Sequence, residues 1–193
     1  MKLVVGLGNT GIDYQNTRHN AGFSAVDFLS HHYDLPWAIK PKFHSELAQG
    51  VIGEHKILVA KPLTYMNLSG IAVQTIRLYY GIKPQDIFVL HDDIDLEVGR
   101  IKYKLGGGHG GHNGLKSLDQ HIGNNYHRVR IGVGRPLLHQ NVANYVLAPF
   151  TKEESKIIGR SIKIVIDNFH FLFSQEWEKF NNGMIRQDAN ISP

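Results

Sequence analysis

The 193-residue chain has no cysteine. That excludes a disulfide framework, a thiol nucleophile and thiolate metal sites, and it fits a reducing, cytoplasmic compartment. No apolar run approaches membrane-spanning length, and the opening "MKLVVGLGNTG" is too short and too rich in glycine for a signal peptide. There is no low-complexity tract, no internal repeat and no linker that would divide the chain. One domain over 1–193 is therefore expected, large enough to bury a core without staples. A formal charge of +4 leans towards a polyanionic partner, so the placement of the cations matters.

Hydrophobic patterning gives the elements. "KLVVGLG" and "DIFVLHD" read as buried strands, and "SELAQGVIGEHKILVA" as an antiparallel pair joined by a glycine turn. "NAGFSAVDFLSHHY" has helical spacing, with Asn20 placed to begin it. "NLSGIAVQTIRLYYG" is a helix with Ile71, Ile76 and Tyr79 or Tyr80 facing inward, and Gly81 ends it. "GRIKYKL" alternates, with Arg100, Lys102 and Lys104 on one face, and Arg128 and Arg130 repeat that alternation in "HRVRIGVG". "NGLKSLDQHIG" is a short helix, and a long helical region runs from about 151 to 180. In it Lys152, Lys156 and Arg160 form a basic face, read as solvated rather than RNA-binding. Strands alternating with helices, plus one hairpin, predict an α/β fold: a three-layer α/β/α sandwich around a mixed, mostly parallel twisted sheet.

Gly6, Gly8 and Gly11 spell G-x-G-x-x-G after a strand, the form of a dinucleotide-binding turn. Such a turn needs a helix starting at the glycines, and "IDYQNTRHN" is instead polar and loop-like. Nor does an acidic residue end a second strand at the expected distance, so no nucleotide cofactor is expected.

Three polar segments follow strands, where open α/β sheets place their sites. "TRHN" carries His19. "KPLTYMNLSG" opens a helix, with Asn67 or Ser69 as its cap. "VLHDDIDLEVG" sets His91, Asp92 and Asp93 at a strand end, and a glycine loop with His109 and His112 comes after it. These His and Asp residues invite a metal reading, but none shows H-E-x-x-H spacing and a glycine loop holds ligands poorly, so no metal is expected.

Together the blocks "VGLGNTGIDYQNTRHNAGF", "KPLTYMNLSG", "HDDIDLEVGRIKYKLGGGHGGHNGLKS", "HRVRIGVGRP" and "YVLAPF" resemble the bacterial-type peptidyl-tRNA hydrolase family over nearly the whole chain. Thr10 stands where that family usually has proline, which would loosen the hold on Asn9. The resemblance implies cleavage of the ester joining a peptide to the 3′-terminal ribose of tRNA, by a monomer. It implies His19 as general base and Asp92 as its orienting carboxylate. Asn9, Asn67 and Asn113 become substrate-positioning asparagines, while Tyr14, Met66 and His112 line the same site. Lys102, Lys104 and Arg130 would meet tRNA phosphate. The residue types suit the reaction. Neutral imidazole can take a proton from water, an asparagine amide can donate to an oxyanion, and cations on a strand can grip phosphates without reading bases. A non-catalytic RNA-binding module is the competing reading, resting on the basic strands alone.

Overall fold

Along the first strand, Lys2–Gly6, the side chains of Leu3 and Val5 are buried in one apolar cluster and that of Val4 in another. Alternation with both faces buried marks the middle strand of a covered sheet. The computed structural model describes residues 1–136 and 140–188. In chain order the elements are β1 (Lys2–Gly6), α1 (Ala21–His32), β2 (Ala38–Lys40), β3 (Ser45–Ile52), β4 (His55–Pro62), α2 (Ser69–Tyr80) and β5 (Ile87–Asp93). They continue with β6 (Ile101–Leu105), α3 (Asn113–Ile122), β7 (His127–Gly132), α4 (Val142–Val146), α5 (Lys152–Asp167), α6 (Phe169–Phe173) and α7 (Trp177–Asp188).

The strands form one seven-stranded sheet in the order β2-β3-β4-β1-β5-β7-β6. The central four, β4, β1, β5 and β7, are mutually parallel. β3 pairs antiparallel with β4, the short edge β2 antiparallel with β3, and the other edge β6 antiparallel with β7. One face packs under α1 and α5–α7: Val4, Val59, Phe88 and Leu90 meet Val26, Ile162, Val165 and Phe169. The other face packs under α2 and α3, with Val5, Leu58 and Val89 against Val73, Ile76 and Leu118. This is the three-layer α/β/α arrangement.

The glycines of the opening turn serve packing. A Cβ at Gly6 would strike the Gly22 carbonyl, and one at Gly8 would lie 2.5 Å from the Phe23 ring. Both let α1 lie close across the end of β1, although it begins only at Ala21, well beyond the glycines where a dinucleotide-binding helix would start.

Several local expectations shift. Ile71 points outward and is 38% exposed, because α2 buries Ala72, Val73 and Ile76 instead. Neither Asn67 nor Ser69 caps α2: Leu68 holds that position, and the Ser69 hydroxyl donates to the Met66 carbonyl. The C-terminal helical region is three helices. Asn168 breaks the first by turning its side-chain amide back onto the Ile164 carbonyl, and Gln175 at φ 58° separates the last two. Thr151 and Glu154 form a reciprocal capping box at the start of α5. Lys152, Lys156 and Arg160 are exposed on its outer face.

Candidate functional site

The parallel strands β1, β4 and β5 all end at one edge of the sheet, and a cavity of about 980 Å³ opens there. Four segments build its walls: the loop after β1, the turn after β4, the end of β5 and the glycine loop leading into α3.

Asp92 lies at the centre. It is buried at the end of β5, and its Oδ1 accepts from His19 Nδ1 at 2.9 Å and from His112 Nε2 at 2.9 Å. The other carboxylate oxygen is 3.0 Å from His19 Nδ1. Burial works against the Asp92 charge, but the two histidines outweigh it and hold the carboxyl well below the usual range. The hydrogen bonds also set both tautomers. A carboxylate only accepts, so His19 carries its proton on Nδ1 and turns the Nε2 lone pair to the cavity it lines. His112 caps α3: its Nδ1 accepts from the amides of Gly114 (3.1 Å) and Leu115 (3.3 Å), so its Nε2 must be the protonated nitrogen.

His19, Asp92 and His112 bring ligand atoms within 4.8 Å of one another, a spacing compatible with a cation. The donor chemistry argues otherwise: His112 cannot turn a lone pair from Nε2 onto a metal while Nδ1 receives two amide protons, and His19 Nδ1 is likewise committed to Asp92.

Asn9 is held from three sides. Asn20 accepts from the Asn9 amide at 2.8 Å and donates to the Asn9 carbonyl at 2.9 Å, while Asn9 Oδ1 accepts from the Met66 amide at 2.9 Å. That last bond assigns the oxygen of the carboxamide and leaves its NH₂ as the group available to the cavity. Asn20, expected only to start α1, makes no side-chain cap there and spends both ends of its amide on Asn9. Sequence offers a signal for this only in the pairing of two asparagines around one polar loop.

Met66 is buried under the turn after β4, and Asn67 is exposed on the cavity wall. Asn113 is the first residue of α3 and also lines the cavity. Lys104 and Arg130 line it as well, with Arg130 Nε donating to Asp93 Oδ2 at 2.7 Å. Two expected positions stand apart. Lys102 is exposed on β6 opposite Arg130 and off the cavity wall. Tyr14 does not line the cavity either; it lies in a turn whose carbonyl accepts from the Thr17 hydroxyl at 2.8 Å. Arg128, read as part of a basic patch, is buried, with its guanidinium on Asp119 and the glycine loop. His91 is buried too: its Nδ1 donates to the Asp92 carbonyl at 2.7 Å, and burial first, then His112, push its pKa down to about 3.

The residue before His19 carries an unusual load. Arg18 gives both carboxylate oxygens of Glu154 a hydrogen bond (3.0 and 2.7 Å) and reaches the carbonyls of Tyr145, Ala148 and Pro149. Its guanidinium stands 4.3 Å over the Tyr145 ring. The segment it grips includes α4, whose Val142 and Val146, with Leu147 just after it, form the apolar wall of the cavity.

An α/β sheet with polar groups converging beyond its parallel strand ends is the architecture of a small-domain enzyme site. The profile of the family described as peptidyl-tRNA hydrolase matches residues 3–191. A peptidyl-tRNA hydrolase of Rickettsia prowazekii is 51% identical over 96% of this chain and all of its own length, and one of Rickettsia bellii is 50% identical over the same share. The crystal structure of a peptidyl-tRNA hydrolase from Acinetobacter baumannii superposes with a TM-score of 0.91 at 38% identity, covering 95% of this chain and 94% of that one. The chain belongs to the peptidyl-tRNA hydrolase family, and with it to the hydrolases.

Proposed function

We propose that the chain hydrolyses the ester between a peptide and the 3′-terminal ribose of tRNA, with His19 as general base, and so returns tRNA from prematurely released peptidyl-tRNA. The observation that carries this reading is the hold of Asp92 on His19 Nδ1 at 2.9 Å, which leaves Nε2 as the ring nitrogen free for the cavity that His19 lines.

A water beside His19 attacks the ester carbonyl as Nε2 takes its proton. The buried Asp92 charge stabilises the imidazolium that forms. The tetrahedral intermediate bears an oxyanion, for which Asn113, first residue of α3, is the donor we assign; the NH₂ of Asn9 is the alternative. Collapse breaks the bond to the ribose oxygen, which takes the proton back from Nε2. Peptide acid and tRNA with a free 3′ hydroxyl leave. Asn9, Asn67 and Asn113 present amides that match the N–H and C=O of a peptide group. A free aminoacyl ammonium lacks that match, and sites of this kind reject such a loss by about 10⁴–10⁵. Lys104 and Arg130 supply charge for phosphates, and Lys102 stands beside them on the outer strand. The step as written draws on side chains of this chain alone, and we read the protein as a single-domain monomer of the cytoplasm that uses no nucleotide or metal cofactor. Among the described residues no helix is long and apolar enough to cross a membrane.

The test is hydrolysis of an N-acetylated aminoacyl-tRNA and its unacetylated counterpart, with chelator present, by the unaltered chain and by His19→Ala. Cleavage of the acetylated substrate alone, lost in the variant, is the expected result. Binding without cleavage would move the reading to an RNA-binding module, and loss of activity with chelator to a metal hydrolase.

A further inference from the structure

β6 and β7 pair so that Lys104 and Arg128 are directly opposite. Residues so paired share a face, and two cations there repel. The structure treats them differently. The Arg128 side chain is 3% exposed, and it donates to Gly108 O at 2.8 Å, to Gly107 O at 2.7 Å and to Asp119 Oδ1 at 3.1 Å. Its guanidinium lies 4.6 Å from the centre of the Tyr126 ring, and the Tyr126 hydroxyl donates to the same Asp119 oxygen at 2.8 Å. Lys104 is exposed and turns to the cavity.

Gly107 connects the two. Its carbonyl is held by Arg128, its φ is +104°, and a Cβ there would lie 2.5 Å from Lys104 Nζ and 2.7 Å from Cε. The Lys104 head therefore crosses the bare backbone of Gly107, at a spot fixed by the guanidinium beneath. A planar fork with two parallel donors can hold two successive carbonyls; an ammonium cannot do so in the same geometry.

We propose that Arg128 is a positioning residue for substrate binding: by pinning the carbonyls of Gly107 and Gly108 it seats the Lys104 ammonium at the cavity wall, so phosphate affinity depends on a buried cation that touches no phosphate. The proposal rests on Lys104 as a phosphate contact, the reading given above. It differs from the reading of two matching basic strands, because Arg128 acts inward.

The test measures binding of deacylated tRNA, which is not consumed, as a function of salt concentration. Each phosphate contact contributes roughly 0.7–0.9 to the slope of log affinity against log salt. Lys104→Ala should lower the slope by about that one contact. Arg128→Lys, which keeps the charge and loses the fork, should lower it by the same amount, and the double variant should lose no more than Lys104→Ala alone. Gly107→Ala keeps Arg128 and Asp119 and sets a methyl in the path of the Lys104 head, at a φ of +104° that also strains the pinned backbone. It should therefore lower the slope by the same amount, and it serves as the readout if Arg128→Lys fails to fold. An unchanged slope in Gly107→Ala or a folded Arg128→Lys, or additive losses in the double variant, would overturn the proposal. An unchanged slope in Lys104→Ala would overturn it too, while hydrolysis of the acetylated substrate stood untouched.

Discussion

His112 and His19 donate to the same oxygen of Asp92, each at 2.9 Å, and their rings sit 4.8 Å apart. One carboxylate thus fixes two imidazoles, and one of them is also the cap of α3. The two duties of His112 can be separated. Asparagine is a good N-cap but is too short to keep the Asp92 bond. His112→Asn should keep thermal stability close to the unaltered chain and lower kcat by roughly 10–100-fold, the scale of a lost hydrogen bond to a charged group. His112→Ala should in addition lose about 0.5–2 kcal/mol of stability. Calorimetry beside steady-state kinetics reads both; equal kcat in His112→Asn and the unaltered chain would deny the Asp92 contact any catalytic weight.

Asp92→Asn bears on the tautomer. An amide in place of the carboxylate can donate to His19 Nδ1, which moves the imidazole proton to Nε2 and removes the base. By analogy with the same change in serine proteases, kcat should drop by roughly 10⁴. A loss below tenfold would mean that His19 does not act through Nε2.

Asn20 touches no part of the cavity, yet its removal should be felt there. Asn20→Ala leaves the amide and carbonyl of Asn9 without their buried partners, at a cost of about 1–3 kcal/mol for each group left unpaired. Asn9 would then depend on its single bond to Met66, with Thr10 in place of a stiffening proline. The expected outcome is a lower Tm together with a fall in kcat/KM of at least tenfold. A lower Tm with unchanged kcat/KM would show that Met66 alone suffices to hold Asn9.

Acid should weaken the fold in two stages. His91 is neutral when folded, since burial and then His112 lower its pKa to about 3, below the unfolded value near 6.5. Protons therefore bind the unfolded chain first, and the stability this group supplies above pH 6.5 is lost progressively between 6.5 and 3. Asp92, Asp93 and Glu154 also have lowered values despite burial, through their histidine, arginine and backbone partners. Their contribution is complete above the unfolded pKa near 4 and fades as pH falls through the lower folded values. Chemical denaturation across pH 3–7 should show a shallow decline from 6.5 and a steeper one below 4. His91→Gln should flatten the upper part alone, and an unaltered upper part in that variant would assign it to another group.

Strands and helices were legible where apolar spacing was regular: β1 and β5 as buried runs, β3–β4 as a hairpin, α3 as a short helix. The site was legible in part, and for a different reason. Polar residues at strand ends marked its location, but the pairing of His19 with Asp92, seventy-three positions away, came from the family's motifs. Pattern alone misjudged Arg128, because alternation on a strand shows which side a residue takes and not whether a loop covers that side. Tyr14, whose place the resemblance supplied, lies in the short turn Ile12–Tyr14 and is not among the residues lining the cavity. The cap and tautomer of His112, and the double hold of Asn20, depend on hydrogen-bond directions that composition does not encode.

Arg18 gives the architecture a mechanical consequence. Its amide donates to Ala148 O, and Phe150 N donates back to Asn16 O, so the strap below α4 and the loop of the base are laced in both directions. The two form one unit of local unfolding, and their amides should exchange with solvent at a common rate. Any opening of the cavity's apolar wall should therefore carry the neighbouring His19 loop with it.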